Sequence, residues 1–454
     1  MRYGTSLPTR YATTDSKHWR SPVSLDGVRE DVLSYHNTTV KPNCRHLDDA
    51  ILAARRAFKI GERVNPIHLN DMLQTASFTD ASSPGLPWRL YGYHTKKEVR
   101  SDERAVQSIR YFWHQIKCGK DINPADCCAY VRSHLTVYPK EKIRAVWGYP
   151  YTVSVQEACF AVPLIDAYKK RGPIAYGWEM VKGGMRKVEA LLSQAHFKYA
   201  LDFSSFDKTL PSWLIREAFD IIIANYDFSR YQDAGIPHTD ALHRVWDYIV
   251  NYFINTPIRL SNGERFLKDS GVASGSYFTQ IIDSVCNFIL IEYICRKFGI
   301  YPSGIKVLGD DSIFCSNNYV SLDSMQPVFA DLGMKLNVEK SIVTESLFDI
   351  TFLGFRFENH LPVKPTEDWL AALHHPEHTD KSFDDFASRA LGILYANCGV
   401  NLDVDQYCRA IIKSSPFRIK LSRSFRRYLR AMGVERLKKE PPPPTTLCLN
   451  ILFG

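Results

Sequence analysis

Several absences narrow what this chain can be. It has eleven cysteines, yet no Cys-x-x-Cys occurs and no histidine stands at zinc-ligand spacing from a cysteine pair, which argues against structural zinc. The only adjacent pair is Cys127-Cys128, and the scatter of the rest suits reduced thiols in a cytosol-like compartment. No apolar core follows Met1-Arg-Tyr-Gly-Thr-Ser-Leu-Pro8, so a secretory leader is not expected. The most apolar helical run, Val285 to Ile294, is too short and too interrupted to span a bilayer. The expectation is a soluble intracellular protein with no membrane partner. Disorder is also excluded, because 23% charged residues with 13% aromatics is a globular composition.

What is present is a chain of 454 residues, 45% hydrophobic, able to bury a core split over two or three lobes. Its net charge of +8 suits a polyanionic partner without demanding one.

The stretch Ile305-Lys-Val-Leu-Gly-Asp-Asp-Ser-Ile-Phe314 reads as two short strands joined by a tight turn at Gly309-Asp310-Asp311. Glycine supplies the backbone freedom of the bend, and two adjacent carboxylates are held at the hairpin tip. Like charges side by side are best tolerated next to cations, and magnesium, a hard ion that prefers oxygen, is the natural candidate. An Asp-Asp pair in a surface turn is ordinary by itself, so the flanking blocks decide its meaning.

Residues 1–45 are polar and aperiodic and read as an arm or extended loop; Leu47, Ile51, Ala54 and Phe58 then predict a helix over 46–58. Ser82-Ser-Pro-Gly-Leu-Pro-Trp88 is a shaped loop rather than an element. From Val131 to Pro150 the pattern is strand, basic stretch, strand. It carries Lys140, Lys142 and Arg144 at alternate positions, which share one face of an extended chain. Such cations suit a phosphate chain. Phe197 to Leu201 predicts a strand ending in Asp202, with Asp207 following before Pro211 opens a helix through Ile223. Ser270-Gly-Val-Ala-Ser-Gly-Ser276 is a small-residue loop that leads into a helix from Tyr277 to about Lys297. On it Thr279, Asp283 and Asn287 form one polar stripe at i, i+4 and i+8, which suggests a polar cavity rather than a solvent face. Leu322 to Leu332 reads as a helix, Lys340 as lying on a strand or turn, and Asp349 to Phe357 as a strand that completes the sheet. Between Leu421 and Met432 the apolar residues share one face and Arg423, Arg426, Arg427 and Arg430 the other. That pattern fits a nucleic-acid backbone, a membrane surface or a solvated helix alike. The apolar tail Leu447 to Phe453 must dock or associate.

In order, the blocks supply aligned cations, a strand-end acid, a Gly/Ser loop with a polar helix, an Asp-Asp hairpin and a lone lysine. Two-metal phosphoryl transfer needs this inventory, with carboxylates from separate strands clamping two ions roughly 3.5–4 Å apart. The blocks resemble the palm motifs of viral RNA-dependent RNA polymerases. Ile143-Arg-Ala-Val-Trp-Gly-Tyr-Pro150 and Gly271-Val-Ala-Ser-Gly-Ser-Tyr-Phe-Thr-Gln280 resemble the partitivirus family most closely, with picobirnaviruses the near neighbour. The resemblance covers about residues 82–357.

That resemblance implies an α/β (α+β) right-hand fold with an antiparallel palm sheet. Fingers would span 1–198 and an insertion at 229–268, the palm 199–228 and 269–360, and the thumb and tail 361–454. It implies Asp202, Asp310 and Asp311 as ligands of two Mg²⁺, with Mn²⁺ as the substitute ion, and Lys340 as general acid. Lys140, Lys142 and Arg144 would hold the triphosphate. Asp207, Ser274, Gly275, Thr279, Asp283 and Asn287 would read the ribose, and Ser83, Pro84, Gly85 and Pro87 would guide the template. The implied partners are RNA template and product, ribonucleoside triphosphates and a viral capsid protein; the implied setting is the virion interior or host cytoplasm of a double-stranded RNA virus. One departure is that many positive-strand viral enzymes have Asn where this chain has Asp283. An ionised Asp only accepts hydrogen bonds whereas Asn also donates, so the network would be wired differently, through Asn287. The competing readings are a reverse transcriptase or maturase, a metal-dependent nuclease, and a catalytically dead RNA-binding or capsid-associated protein. Against the first, an aromatic that blocks a 2′-hydroxyl is typical five residues after the first Asp, where this chain has Asp207.

Overall fold

The computed structural model describes residues 18–75 and 79–453. Residues 1–17 of the expected arm lie outside the described residues. The remainder is more ordered than its composition suggests. It contains a short strand, β1 (His18–Arg20), and a helix, α1 (Leu25–Leu33), whose first turn is capped by Ser24 accepting from the Gly27 N–H. Only Val28, Asp31 and Val32 of α1 are buried, too sparse a stripe to predict without its partner. That partner is a satellite core containing Ala145, Trp147 and Tyr149. The next helix, α2 (Arg45–Ala57), is the expected one. Phe58 at its end meets Tyr168 and Phe288 edge-on, at 5.9 and 5.4 Å between ring centres.

The basic region folds into β2 (Cys127–Ser133), β3 (Leu135–Val137) and β4 (Ile143–Gly148). β1 pairs with β3, and β2 with β4, antiparallel, setting Arg132 across from Arg144. Lys140 and Lys142 precede β4. The expected single extended face is therefore corrected: only Arg144 rides on a strand, and the two lysines sit on the connection that enters it. After α3 (Tyr151–Lys170) come β5 (Phe197–Leu201), the short α4 (Phe206–Thr209), α5 (Ser212–Ile223) and α6 (Ala241–Ile254). Next is a hairpin of β6 (Pro257–Arg259) and β7 (Arg265–Leu267). β6 adds parallel to β2, so the segment 229–268 returns to the sheet that carries Arg144.

The central sheet follows from α7 (Thr279–Lys297), β8 (Gly304–Leu308), β9 (Asp311–Ser316), α8 (Leu322–Ala330) and β10 (Ile342–Thr344). Its order is β10-β5-β9-β8, with every neighbouring pair antiparallel. Alternation sends Tyr199, Leu201, Val307 and Phe314 into the largest core and Ala200, Ile313 and Cys315 into a second core on the opposite face. Tyr199 and Phe314, directly paired across β5 and β9, stack at 4.5 Å, a cross-strand contact that contributes about 0.5–1.5 kcal/mol. Both faces are dry, which fixes the register strongly.

The expected strand over 349–357 is instead a hairpin of β11 (Thr351–Phe352) and β12 (Phe355–Glu358), extended by β13 (Leu361–Val363) into a sheet of its own. Leu353 and Gly354 both take positive φ and break the run. The C-terminal lobe is helical, including α9 (Phe383–Asn397), α10 (Arg423–Met432) and α11 (Pro444–Phe453). Leu447 and Ile451 of the apolar tail are buried in the second core.

Candidate active site

Backbone geometry gathers the acids. Register pairs Leu201 with Ser312, so the next step along each strand sets Asp202 opposite Asp311. Leu308 pairs with Asp311, leaving Gly309 and Asp310 as a two-residue turn in which Gly309 takes φ +66°. α7 braces this tip from behind. The Asn287 amide donates to the Gly309 and Asp310 carbonyls at 3.0 and 2.9 Å, and the Ser284 hydroxyl accepts from the Gly309 N–H at 2.9 Å. Asp202 is held on its own backbone, its N–H donating to the Ser341 hydroxyl at 2.9 Å and its carbonyl accepting from Asn337 at 2.8 Å.

The acids act on one another. Asp311 is exposed at the start of β9; desolvation by the surrounding chain, then Asp310 and Asp202, pushes its carboxyl up to about 7. Asp202 is raised chiefly by burial and by Asp310, against the pull of Lys340, Asn337 and Lys142. Asp207, on α4, is pushed up to about 6 by burial and Asp310, with Arg144 and Lys208 opposing. Asp283 is 4% exposed and pushed well above the carboxylate range by burial, Asp207 and Asp310, and its Oδ1 has no hydrogen-bond partner. Among the described residues no three His, Cys, Asp or Glu side chains converge as a closed ion cage. The donor set still fits a divalent cation, because it is all oxygen and its members repel one another until positive charge is present.

Cations face the acids from two sides. Lys142 is lowered by partial burial and by Arg144, Lys340 and Lys140, while Asp202 raises it; it therefore lies in the same field as the hairpin tip. Lys340 is exposed, in a turn whose N–H bonds the Asn337 carbonyl at 3.2 Å. The Gly/Ser loop closes the remaining side. The Trp147 N–H donates to the Ser274 hydroxyl at 3.2 Å, and the Thr279 hydroxyl donates to the Ala273 carbonyl at 2.6 Å. A Cβ on Gly275 would lie 1.8 Å from the Trp147 carbonyl oxygen, so only glycine fits there.

The sequence model described as viral RNA-dependent RNA polymerase matches residues 10–407. The chain belongs to that family. It is 27% identical over 363 residues to the RNA-directed RNA polymerase of Cryptosporidium parvum virus 1, covering 75% of this chain and 65% of that one. With the RNA-directed RNA polymerase of white clover cryptic virus 1 it shares 27% over 367 residues, covering 73% and 58%. The chain thus spans less than two thirds of the length of these relatives. Among solved structures, the RNA-dependent RNA polymerase of a human picobirnavirus matches with a TM-score of 0.67 at 16% identity, over 87% of this chain and 75% of that one. The Sicinivirus 3Dpol RNA-dependent RNA polymerase matches with a TM-score of 0.72 at 14% identity, over 94% and 95%. The fold is the right-hand fold of viral RNA-dependent RNA polymerases.

Within this polymerase-family fold the expected residues lie as follows. Asp202, Asp310, Asp311, Asp207, Lys142, Arg144 and Lys340 share one electrostatic neighbourhood. The Asn287 amide nitrogen is committed to the hairpin turn and so supports the acids, while its buried Oδ1 has no hydrogen-bond partner. Ser83, Pro84, Gly85 and Pro87 form the loop in front of β2, with the Ser83 hydroxyl 2.5 Å from that of Tyr130 and the Pro84 carbonyl accepting from the Tyr151 N–H at 2.7 Å. Lys140 is exposed, its carbonyl accepting from the Trp19 indole at 3.1 Å. Sequence reasoning missed Asp31, Glu157 and Lys268. Buried Glu157 accepts from the Ser276 hydroxyl and the Tyr277 N–H at 2.8 and 3.0 Å. Lys268, 4% exposed, donates to the carbonyls of Phe253, Ile254 and Gly271, tying the end of α6 to the loop. Glu157 stood out only as an acid inside the apolar run of α3, and neither Asp31 on its sparse helix nor Lys268 carries a local signal of burial. No helix is long and apolar enough to cross a membrane among the described residues.

Proposed function

We propose that the chain is a template-directed RNA polymerase. It joins ribonucleoside triphosphates to an RNA 3′-hydroxyl with release of pyrophosphate, and serves genome replication and transcription of a double-stranded RNA virus. The observation that carries this reading is the register that sets Asp202 across from Asp311 beside the Asp310 turn, with Lys142 and Lys340 in the same field. By analogy with the family's right-hand fold, fingers take 1–198 and 229–268, the palm 199–228 and 269–360, and the thumb with tail 361–454. The membership in a family of RNA polymerases supports RNA and nucleotides as substrates. A capsid protein as partner, and action in the virion interior or host cytoplasm, follow from the same reading.

Asp202, Asp310 and Asp311 hold the divalent ions, two Mg²⁺ with Mn²⁺ able to substitute, since an all-carboxylate set prefers hard cations. When bound there, the ions supply activation of the 3′-hydroxyl and neutralisation of the leaving oxygens. Lys142 and Arg144 orient the triphosphate, with Lys140 at the outer end, and Lys340 donates a proton to departing pyrophosphate. Ser83 to Pro87 guide the template. Asp207 accepts a hydrogen bond from the ribose 2′-hydroxyl, and Ser274, Gly275 and Thr279 shape that wall. Asp283 keeps its proton in its buried setting and so donates as an amide would, which removes the apparent departure from enzymes with Asn at that position.

The test is incorporation of labelled ribonucleotides on an RNA template with Mg²⁺. Asp310→Ala is expected to lose more than about a thousandfold in rate, as removal of a metal ligand from the transition state requires. Retention of wild-type rate in that variant would sink the reading.

A further inference from the structure

We infer that Asp31, on the N-terminal helix α1, is a positioning residue that ties the triphosphate-facing strand to the ribose-facing acid. This inference rests on the polymerase reading above. Asp31 is 8% exposed, and its two carboxylate oxygens serve two separate elements. Oδ2 accepts from the Ala145 N–H at 2.8 Å, and Oδ1 pairs with the Lys208 ammonium. Ala145 is the neighbour of Arg144, and Lys208 is the neighbour of Asp207. One buried carboxylate therefore stands a single residue away from each of the two groups on which nucleotide binding depends.

The surroundings explain why a charge is needed there. β4 is an edge strand in its sheet, so its outward N–H groups have no strand to bond. Asp31 supplies the acceptor and fixes the height of β4 at Arg144. Lys208 is 18% exposed. Without Asp31 its ammonium would be released beside Asp207, where it competes with Arg144 for that carboxylate. The bracket continues through aromatic contacts. The Lys208 ammonium lies 5.9 Å from the Tyr35 ring centre, and Tyr35 meets Trp147 edge-on at 5.0 Å. Trp147 in turn donates to Ser274, and the Val272 N–H donates to the Asp207 carbonyl at 2.6 Å. Helix α1 thus holds β4, the Gly/Ser loop and α4 as one unit from behind the site. Asn37, just past α1, pins the same unit: its N–H donates to the Ser270 hydroxyl at 2.9 Å and its amide to the Thr209 and Leu332 carbonyls at 2.5 and 3.0 Å.

The experiment compares wild type, Asp31→Asn, Lys208→Met and the double variant as full chains. KM and kcat are measured for a ribonucleotide and its deoxy counterpart on a primed RNA template. Asp31→Asn is expected to raise ribonucleotide KM about tenfold with kcat little changed and deoxynucleotide KM by less, so that the ribonucleotide preference in kcat/KM falls about threefold. Lys208→Met is expected to lower the same preference, and the double variant to add little to that loss, because the side of the bracket that reaches Asp207 runs through the single Asp31–Lys208 contact. A role in stability alone reduces the active fraction, hence kcat, equally for both sugars. If the variants lower kcat alike for both with KM and preference unmoved, the inference is overturned. Should Asp31→Asn not fold, an unchanged sugar preference in Lys208→Met overturns it. Wild type that shows no templated incorporation, or incorporation that Asp310→Ala leaves intact, defeats the polymerase reading instead.

Discussion

Asp207 shows how much a single residue can decide. Its carboxyl is half-buried and raised to about 6, by desolvation and the acid Asp310 against the pull of the cation Arg144. In the role proposed for Asp207, a bulky aromatic in its place would fill the space beside a ribose 2′-hydroxyl and take away its acceptor. Asp207→Phe is expected to lower ribonucleotide use relative to deoxynucleotide use by about tenfold or more, measured as the ratio of kcat/KM values; an unchanged ratio refutes the assignment. Such residues were legible in the sequence where spacing alone defines them. Asp202 closes an alternating strand, Asp207 precedes a proline-opened helix, and the Asp-Asp pair follows a turn glycine. Asp283 was legible as a polar oddity on an apolar helix, but the upward push on its carboxyl was not, because that depends on burial and on two acids distant in sequence. Asn287 was legible as part of the same polar stripe, but its bonds to the hairpin turn were not: the helix period gives the face it lies on, not which carbonyl lies opposite.

At the scale of elements, the Gly/Ser loop is held from below by groups that no local pattern reveals. Lys268 bonds the Gly271 carbonyl, and Glu157 on α3 receives Ser276 and Tyr277. Burial raises Glu157 to about 7, against hydrogen bonds and Lys96 that lower it. Its folded pKa therefore lies above its unfolded value, near 4.3. The folded state binds the extra proton between these limits, so this group's contribution to stability is full below the unfolded value and declines as pH rises toward 7. The loss is on the order of 3 kcal/mol. Glu157→Gln has no such titration, and its denaturant midpoint is expected to vary less than that of wild type between about pH 4.5 and 7. Parallel pH profiles would contradict this account. Elements with a strong internal period, α2, α7 and the central hairpin, were readable within a residue or two. α1 was not, because two valines and one acid make a helix only against Trp147 and β4. The hairpin of β11 and β12 was read as one strand, because Leu353 gives no sign that it will take positive φ.

For the whole molecule, the sequence indicated a mixed core with a helical C-terminal lobe, and the structure shows two cores on the two faces of one sheet. Contacts far apart in sequence join the parts. The Arg20 guanidinium donates to the His375 carbonyl at 2.8 and 3.0 Å and to the Ser133 carbonyl at 2.9 Å. These bonds link the first strand, the β2 sheet and the C-terminal lobe. Arg423 of the basic helix α10 donates to the Ala81 carbonyl, so one of the four arginines whose use the sequence left open anchors the lobe to the loop before β2. No periodicity predicts such partners, since each depends on chain closure over hundreds of residues.

The crowded tip of the hairpin also has a thermodynamic signature. On the proposed assignment of Asp311 as an ion ligand, a carboxyl pushed up to about 7 keeps part of its proton in neutral buffer, and an arriving divalent ion displaces that proton when the oxygen ligates. Titration calorimetry with Mg²⁺ near pH 7 should therefore yield heats that shift with the ionisation enthalpy of the buffer. The effect should fade by about pH 9, where the eviction is already complete. Identical heats in phosphate-free buffers of unlike enthalpy would mean that the ion enters without displacing acid.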